Sequence, residues 1–251
     1  MDMKDSCVLV VGGAGGLGSR VCRAVAEAGA NVVIVYLKPQ EEARSEELVT
    51  ELSSLGPRAM AIQADMAVQA DIDRVLERTL DEFERIDVLI NSTGMNKPIP
   101  FPDVEAIDEE LWNQILNSNL TGPFLTIRSL TPIMRRQGFG RIVNVASVAG
   151  LAPMGSSIAY AVAKAGLVHL TRCMAKALGP DILVNSVSPG MMAGVGMVAD
   201  FPQSAADSYG QSSILGRTTY AKDVVDAIVT LVRTDSITGQ TLVVDAGVVY
   251  H

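Results

Sequence analysis

The sequence predicts an α/β protein: one doubly wound sheet of seven parallel strands flanked by helices. Short apolar runs rich in β-branched residues alternate with longer segments of helical period, as in a sheet built from strand–helix–strand units. The connections between these segments are short, and no linker-like stretch divides the 251 residues, so a single domain is expected. With 48% hydrophobic and 19% charged residues, the chain is far too apolar to be disordered.

In chain order the expected strands are Cys7 to Val11, Asn31 to Tyr36, Ala59 to Gln63, Val88 to Asn91, Arg141 to Ala146, Leu183 to Val187 and Thr241 to Val244. The expected helices cover 16–28, 39–55, 68–84, 108–137 with a break near Gly122-Pro123, 157–178 and 221–233. Two places depart from this rhythm. Residues 190–216 have no clear period and hold Met191, Met192 and Met197 among glycines and small polar residues, which suggests a lid. The stretch Gly94 to Pro102 carries three prolines and follows a strand end, where ligand crevices of open parallel sheets lie.

Composition excludes several classes. A formal charge of −8 and a pI of about 4.8 leave no basic face for nucleic acid. No apolar run reaches the ~18 residues a spanning helix requires, so no membrane segment is expected. Cys7, Cys22 and Cys173 are odd in number, widely spaced and set in apolar segments. They read as buried reduced thiols in a cytoplasmic protein. His169 and His251 are the only histidines, so no metal centre is expected.

Directly after the first strand, five glycines fall within the seven residues from Gly12 to Gly18, and a helical run follows. Glycines there permit a tight turn and let backbone approach a pyrophosphate at the helix N-terminus, the dinucleotide-binding arrangement of a Rossmann-like fold. At the end of the second strand, where such folds often place an acidic side chain for the ribose 2′-hydroxyl, the chain has Tyr36, Leu37 and Lys38, with no carboxylate before Glu41. That favours NADP(H) over NAD(H). Further on stand Ser147 and then Tyr160 and Lys164, four apart on a predicted helix. A fixed ammonium beside a phenol favours the phenolate and would lower a pKa that is ordinarily ~10. Taken alone, this spacing more often describes a half-buried tyrosine beside a snorkelling lysine.

Taken together, these residues resemble the short-chain dehydrogenases/reductases, and the likeness covers essentially the whole chain. The family's GxxxGxG maps onto Gly12, Gly16 and Gly18, its Asp after the third strand onto Asp65, and its NNAG onto Asn91 to Gly94. Its active-site Asn matches Asn119, its Ser matches Ser147 thirteen residues before Tyr160, and Lys164 completes the set. Asn185 with Ser188 to Gly190 resembles the segment that lines the nicotinamide, and 238–247 resembles the C-terminal strand region. The resemblance implies Asn119, Ser147, Tyr160 and Lys164 as catalytic residues. It implies cofactor contacts from Gly12, Gly15, Gly16, Leu17, Gly18, Tyr36, Lys38, Asp65, Met66, Asn91, Gly94, Tyr160, Lys164, Pro189, Gly190 and Met192.

The same resemblance implies hydride transfer between a nicotinamide and a small ketone or secondary alcohol, with Tyr160 as general acid/base, in a homotetramer burying the helices at 108–137 and 157–178. Asp65 is expected to contact adenine, with helix capping a compatible role, and Trp112 to be a packing residue. Four positions depart from the family pattern: Val11 for a Thr, Gly15 for the basic residue of many NADP(H)-preferring members, Leu183 for a frequent Arg, and Gly194 for a Thr that bonds the carboxamide. The alternatives are a dinucleotide-sensing regulator without turnover, a 3-oxoacyl-carrier-protein reductase, and a nucleotide-sugar epimerase or dehydratase. The chain retains the Tyr, Lys and Ser that a regulator is free to lose. No basic run stands out to receive an acidic carrier, and only 87 residues follow Lys164, too few for a further substrate domain.

Overall fold

The computed structural model describes residues 1–196 and 201–250. Met197, part of the expected lid, and His251 lie outside the described residues. Seven strands form one sheet in the order β3-β2-β1-β4-β5-β6-β7: β1 (Cys7–Val11), β2 (Asn31–Tyr36), β3 (Ala59–Gln63), β4 (Val88–Asn91), β5 (Gly140–Val145), β6 (Ile182–Pro189) and β7 (Thr241–Val244). Every pairing is parallel, with Val8 opposite Val32 on one side and Val88 on the other. The fifth and sixth strands begin one residue earlier than expected, and β6 runs on through Pro189.

Helices cover both faces, and alternation along the strands sends each strand's residues to two separate apolar layers. Val8, Val10, Val32, Ile34, Val143 and Val145 meet α1 (Gly16–Glu27), α2 (Glu42–Ser54) and α8 (Ala221–Arg233) in one layer. Their neighbours Leu9, Val33, Val35, Leu89 and Ile142 meet α3 (Gln69–Phe83), α5 (Gly122–Gln137) and α6 (Ile158–Leu178) in the other. Among the described residues no helix is long and apolar enough to cross a membrane.

Three expectations need correction. The helix over 108–137 does not break at Gly122-Pro123. It begins as α4 (Glu109–Leu116), passes through a wide π turn at Asn117–Thr121 and continues as α5, with the backbone in the right-handed helical region at Leu116, Thr121 and Gly122. Pro123 lacks the N–H that a regular turn requires, and Gly122 N–H closes a bond five residues back to Asn117 O. Residues 190–216 are not wholly irregular, because Gln203–Ser212 forms α7. Of its residues only Gly210 is buried, so it has no apolar stripe for periodicity to detect. Cys173 is exposed, whereas Cys7 and Cys22 are buried as expected. It stands off the face of α6 that buries Leu167, Thr171, Ala175 and Leu178.

Candidate active site

Strand order reverses between β1 and β4, and the crevice at their carboxyl ends receives the glycine turn, the Asn91 end of β4 and the start of the segment after Tyr36. The turn is built for close approach. Gly12 has φ +75, and a Cβ on Gly18 would lie 2.1 Å from the Gly12 carbonyl oxygen. The first turn of α1 holds no acidic residue, and its N-cap, Gly15, makes no side-chain capping bond, so the amides there are left to an anion.

Tyr160 and Lys164 lie on α6, 8% and 1% exposed, with Lys164 Nζ 5.7 Å from the Tyr160 ring centroid. Lys164 Nζ donates to the Val145 carbonyl at 2.9 Å, at the end of β5. Its other two N–H groups suit ribose hydroxyls. Burial lowers its pKa to about 8. The expected acidification of Tyr160 by Lys164 is not produced by the chain's own groups. Burial pushes the phenol up to about 12, and the one influence that lowers it is the Ser147 hydroxyl. The ammonium faces the ring and the Val145 carbonyl, and burial disfavours its charged form.

Ser147 follows β5 and caps a short 3₁₀ turn, accepting from Ala149 N at 3.2 Å. Gly150 lets this turn press onto α6, since a Cβ there would fall 2.6 Å from the Lys164 carbonyl carbon. Asn119 sits in the π turn, fully buried, and donates to Met95 O at 2.8 Å and Ile115 O at 2.9 Å. Its Oδ1 has no partner among the described residues. The structure thus gathers Asn119, Ser147, Tyr160 and Lys164 from the π turn, the end of β5 and α6. Around Tyr160, Ile99, Ile115 and Ala149 form an apolar cluster joined by Met95, Phe101 and Trp112, so the Gly94 to Pro102 loop walls this side and Trp112 packs as expected.

Other expected contacts take varied places. Gly16 abuts the segment that follows β6, a Cβ there meeting Gly196 N at 2.5 Å, while Leu17 is buried in the first apolar layer. Tyr36 joins that layer and Lys38 stands exposed beyond it. Asp65 is exposed and accepts from Ala67 N at 2.9 Å, turning the chain before α3, whose N-cap is Val68. Met66 is buried behind it. Asn91 donates to Asn144 at 2.8 Å and keeps an unpartnered Oδ1 among the described residues. Pro189 and Gly190 lie where Tyr209 and Thr219 close in, a Cβ on Gly190 meeting Tyr209 Oη at 1.9 Å. Met192 packs on the first apolar layer, not on the Tyr160 cluster. Asn185 stands apart from the crevice chemistry, clamping Ile237 O and Gln240 N at 2.7 and 3.0 Å.

One residue was missed. Glu41 folds back so that its carboxylate accepts from the backbone N–H groups of Leu37 and Lys38. Its signal was present: a Glu three residues after a turn-opening position reaches back to that residue's amide, as in a capping box. The residues present fit a dinucleotide, given the uncapped α1, the glycine cradle, the buried Lys164 and the unpartnered Asn119 Oδ1.

Comparison with known proteins agrees with this geometry. The family model described as enoyl-(acyl carrier protein) reductase matches residues 12–249. The chain assigned as ketoacyl reductase 2 of the granaticin polyketide synthase of Streptomyces violaceoruber is 36% identical over 240 residues, 95% of this chain and 94% of that one. A solved structure assigned to the short-chain dehydrogenases/reductases, from Burkholderia xenovorans, superimposes with a TM-score of 0.89 at 27% identity and covers 97% of each chain. The NADPH-dependent 3-quinuclidinone reductase of Rhodotorula rubra superimposes with a TM-score of 0.88 at 26% identity, over 98% of this chain and 92% of that one.

Proposed function

Because the chain belongs to the short-chain dehydrogenase/reductase family, and is thereby an NAD(P)-dependent oxidoreductase interconverting a ketone and a secondary alcohol, we propose that Asn119, Ser147, Tyr160 and Lys164 are its catalytic residues. The observation that carries this reading is the burial of Tyr160 and Lys164 one helical turn apart, with the Ser147 hydroxyl opposing the rise that burial imposes on the phenol's pKa. The bound nicotinamide supplies or accepts the hydride. In reduction Tyr160 donates its phenolic proton to the carbonyl oxygen, and Ser147 donates a hydrogen bond to the same oxygen. Lys164 holds the nicotinamide ribose hydroxyls and, while charged, favours the phenolate left on Tyr160. Both N–H groups of Asn119 are committed to Met95 O and Ile115 O, so it offers Oδ1 to a water that resupplies the proton.

On the same reading the glycine turn, Asp65, Met66, Asn91, Gly94 and 189–192 line the cofactor, and 190–216 is the substrate lid. NADP(H) is taken in preference to NAD(H), supported by Lys38 and by the absence of a carboxylate on the last residue of β2. The preferred substrate is a small free ketone. The ketoacyl relative favours a second reading, a 3-oxoacyl thioester. Initial rates with NADPH against a panel of free ketones and 3-oxoacyl thioesters separate the two, and no turnover of any of them would contradict both. Exposed Phe124 on α5 and Val162 on α6 support homotetramer formation, which light scattering tests. The three free thiols support a cytoplasmic setting.

A further inference from the structure

The rim of the nucleotide crevice carries a carboxylate that distance along the chain had set aside. Gly12 and Gly13 N–H donate to the Val35 carbonyl at 2.9 and 3.0 Å, so the glycine turn lies against the end of β2, and the chain just beyond Tyr36 borders the crevice. The two backbone N–H groups on that border, of Leu37 and Lys38, both donate to Glu41 Oε2, at 3.3 and 3.1 Å. The other carboxylate oxygen accepts from Arg44 Nη2 at 3.0 Å. Glu41 is fixed at its backbone too: its N–H donates to Lys38 O at 2.8 Å, and its own carbonyl accepts from Ser45 Oγ at 2.7 Å.

Consecutive backbone N–H groups pointing one way make a small anion site. Here the chain fills that site with its own anion, beside the place where dinucleotide folds meet the adenosine ribose 2′ position. We propose that Glu41 is a specificity-determining residue for the cofactor, an internal competitor that acts against a 2′-phosphate while Lys38 acts for it. The inference rests on reading the crevice as an NAD(P)(H) site. A 2′-hydroxyl donates to a carboxylate and finds in Glu41 a partner. A 2′-phosphate has no proton to offer at neutral pH and meets a like charge on the amides it would otherwise use. NADP(H) therefore binds by displacing the Glu41 carboxylate, and the margin that Lys38 gives it is narrowed.

The test uses the full chain and calorimetric titration with adenosine 2′,5′-bisphosphate and adenosine 5′-monophosphate, alongside kcat/KM for NADPH and NADH. In Glu41→Gln the side-chain oxygen still accepts from the rim amides, so the turn is kept while the charge and the bond to Arg44 Nη2 are lost. That variant is expected to bind the 2′-phosphorylated ligand about tenfold tighter while the 5′-monophosphate changes little, and to raise the NADPH-to-NADH ratio of kcat/KM by a similar factor. Lys38→Ala is expected to move both quantities the opposite way. If both ligands bind and Glu41→Gln leaves their affinity ratio unchanged, the role of Glu41 is overturned. If neither ligand nor dinucleotide binds the parent protein, it is the crevice reading that fails.

Discussion

A lysine 1% exposed, with a single carbonyl as its acceptor among the described residues, is held in the native state at a cost whose sign follows from its pKa. Burial lowers the Lys164 pKa from 10.5 to about 8, so between those values the unfolded chain binds a proton that the native chain does not. Stability then rises with pH across that window, and the deficit is fully present below about 8. Lys164→Met is expected to raise the unfolding free energy at pH 7 by up to about 3 kcal/mol, read as a higher urea midpoint, and to abolish turnover. A variant less stable than the parent at pH 7 would contradict the account. Tyr160 is displaced the other way, up to about 12, and Ser147 is the group that restrains it. Alcohol oxidation needs the phenolate, so Ser147→Ala should move the ascending limb of its pH profile to higher pH as well as lower kcat. An unmoved limb would separate Ser147 from the phenol. The grouping of Tyr160 with Lys164 was legible in the sequence and their electrostatics were not, because spacing along a helix says which side chains share a face but not how dry that face is.

Elements place these residues by close backbone approach, which small side chains permit. At Gly18 a methyl group would lie 2.1 Å from the Gly12 carbonyl, backbone that cannot yield without reshaping the turn. Gly18→Ala is expected to weaken dinucleotide binding by at least about tenfold with the far-ultraviolet dichroism unchanged. Full affinity in that variant would show that the turn does not hold the pyrophosphate. Five strands, β1, β2, β3, β4 and β7, were readable to the residue; in β1, β2 and β4 apolar runs buried on both faces leave a sharp signature, and β3 and β7 are the half-buried edges of the sheet. The π turn was read as a break because Gly122-Pro123 signals only that a regular turn fails, not that the helix resumes beyond it. Helix α7 buries almost nothing of itself, and the return of Glu41 to Leu37 and Lys38 is a side-chain-to-backbone bond that hydrophobic patterning does not register.

Over the whole molecule, chemistry is collected at one edge because strand order reverses between β1 and β4 and the connections leave the crevice on that side. Glycines from one half of the sheet and the Ser147, Tyr160 and Lys164 group from the other then flank the same opening. Both the fold class and the family resemblance were available from the sequence, because ordered motifs spread from Gly12 to Gly247 constrain topology together. The carboxylate of the proposed selectivity role was only half available, since Glu41 returns to Leu37 and Lys38 through a local side-chain-to-backbone contact that its position past the end of β2 does not display.

The central claim, that the Tyr160 hydroxyl delivers the proton, is tested most directly by Tyr160→Phe assayed for ketone reduction beside a dinucleotide titration of the same preparation. The account predicts a loss of about 10²- to 10⁴-fold in kcat with dinucleotide affinity retained. Turnover at the parent rate would contradict it.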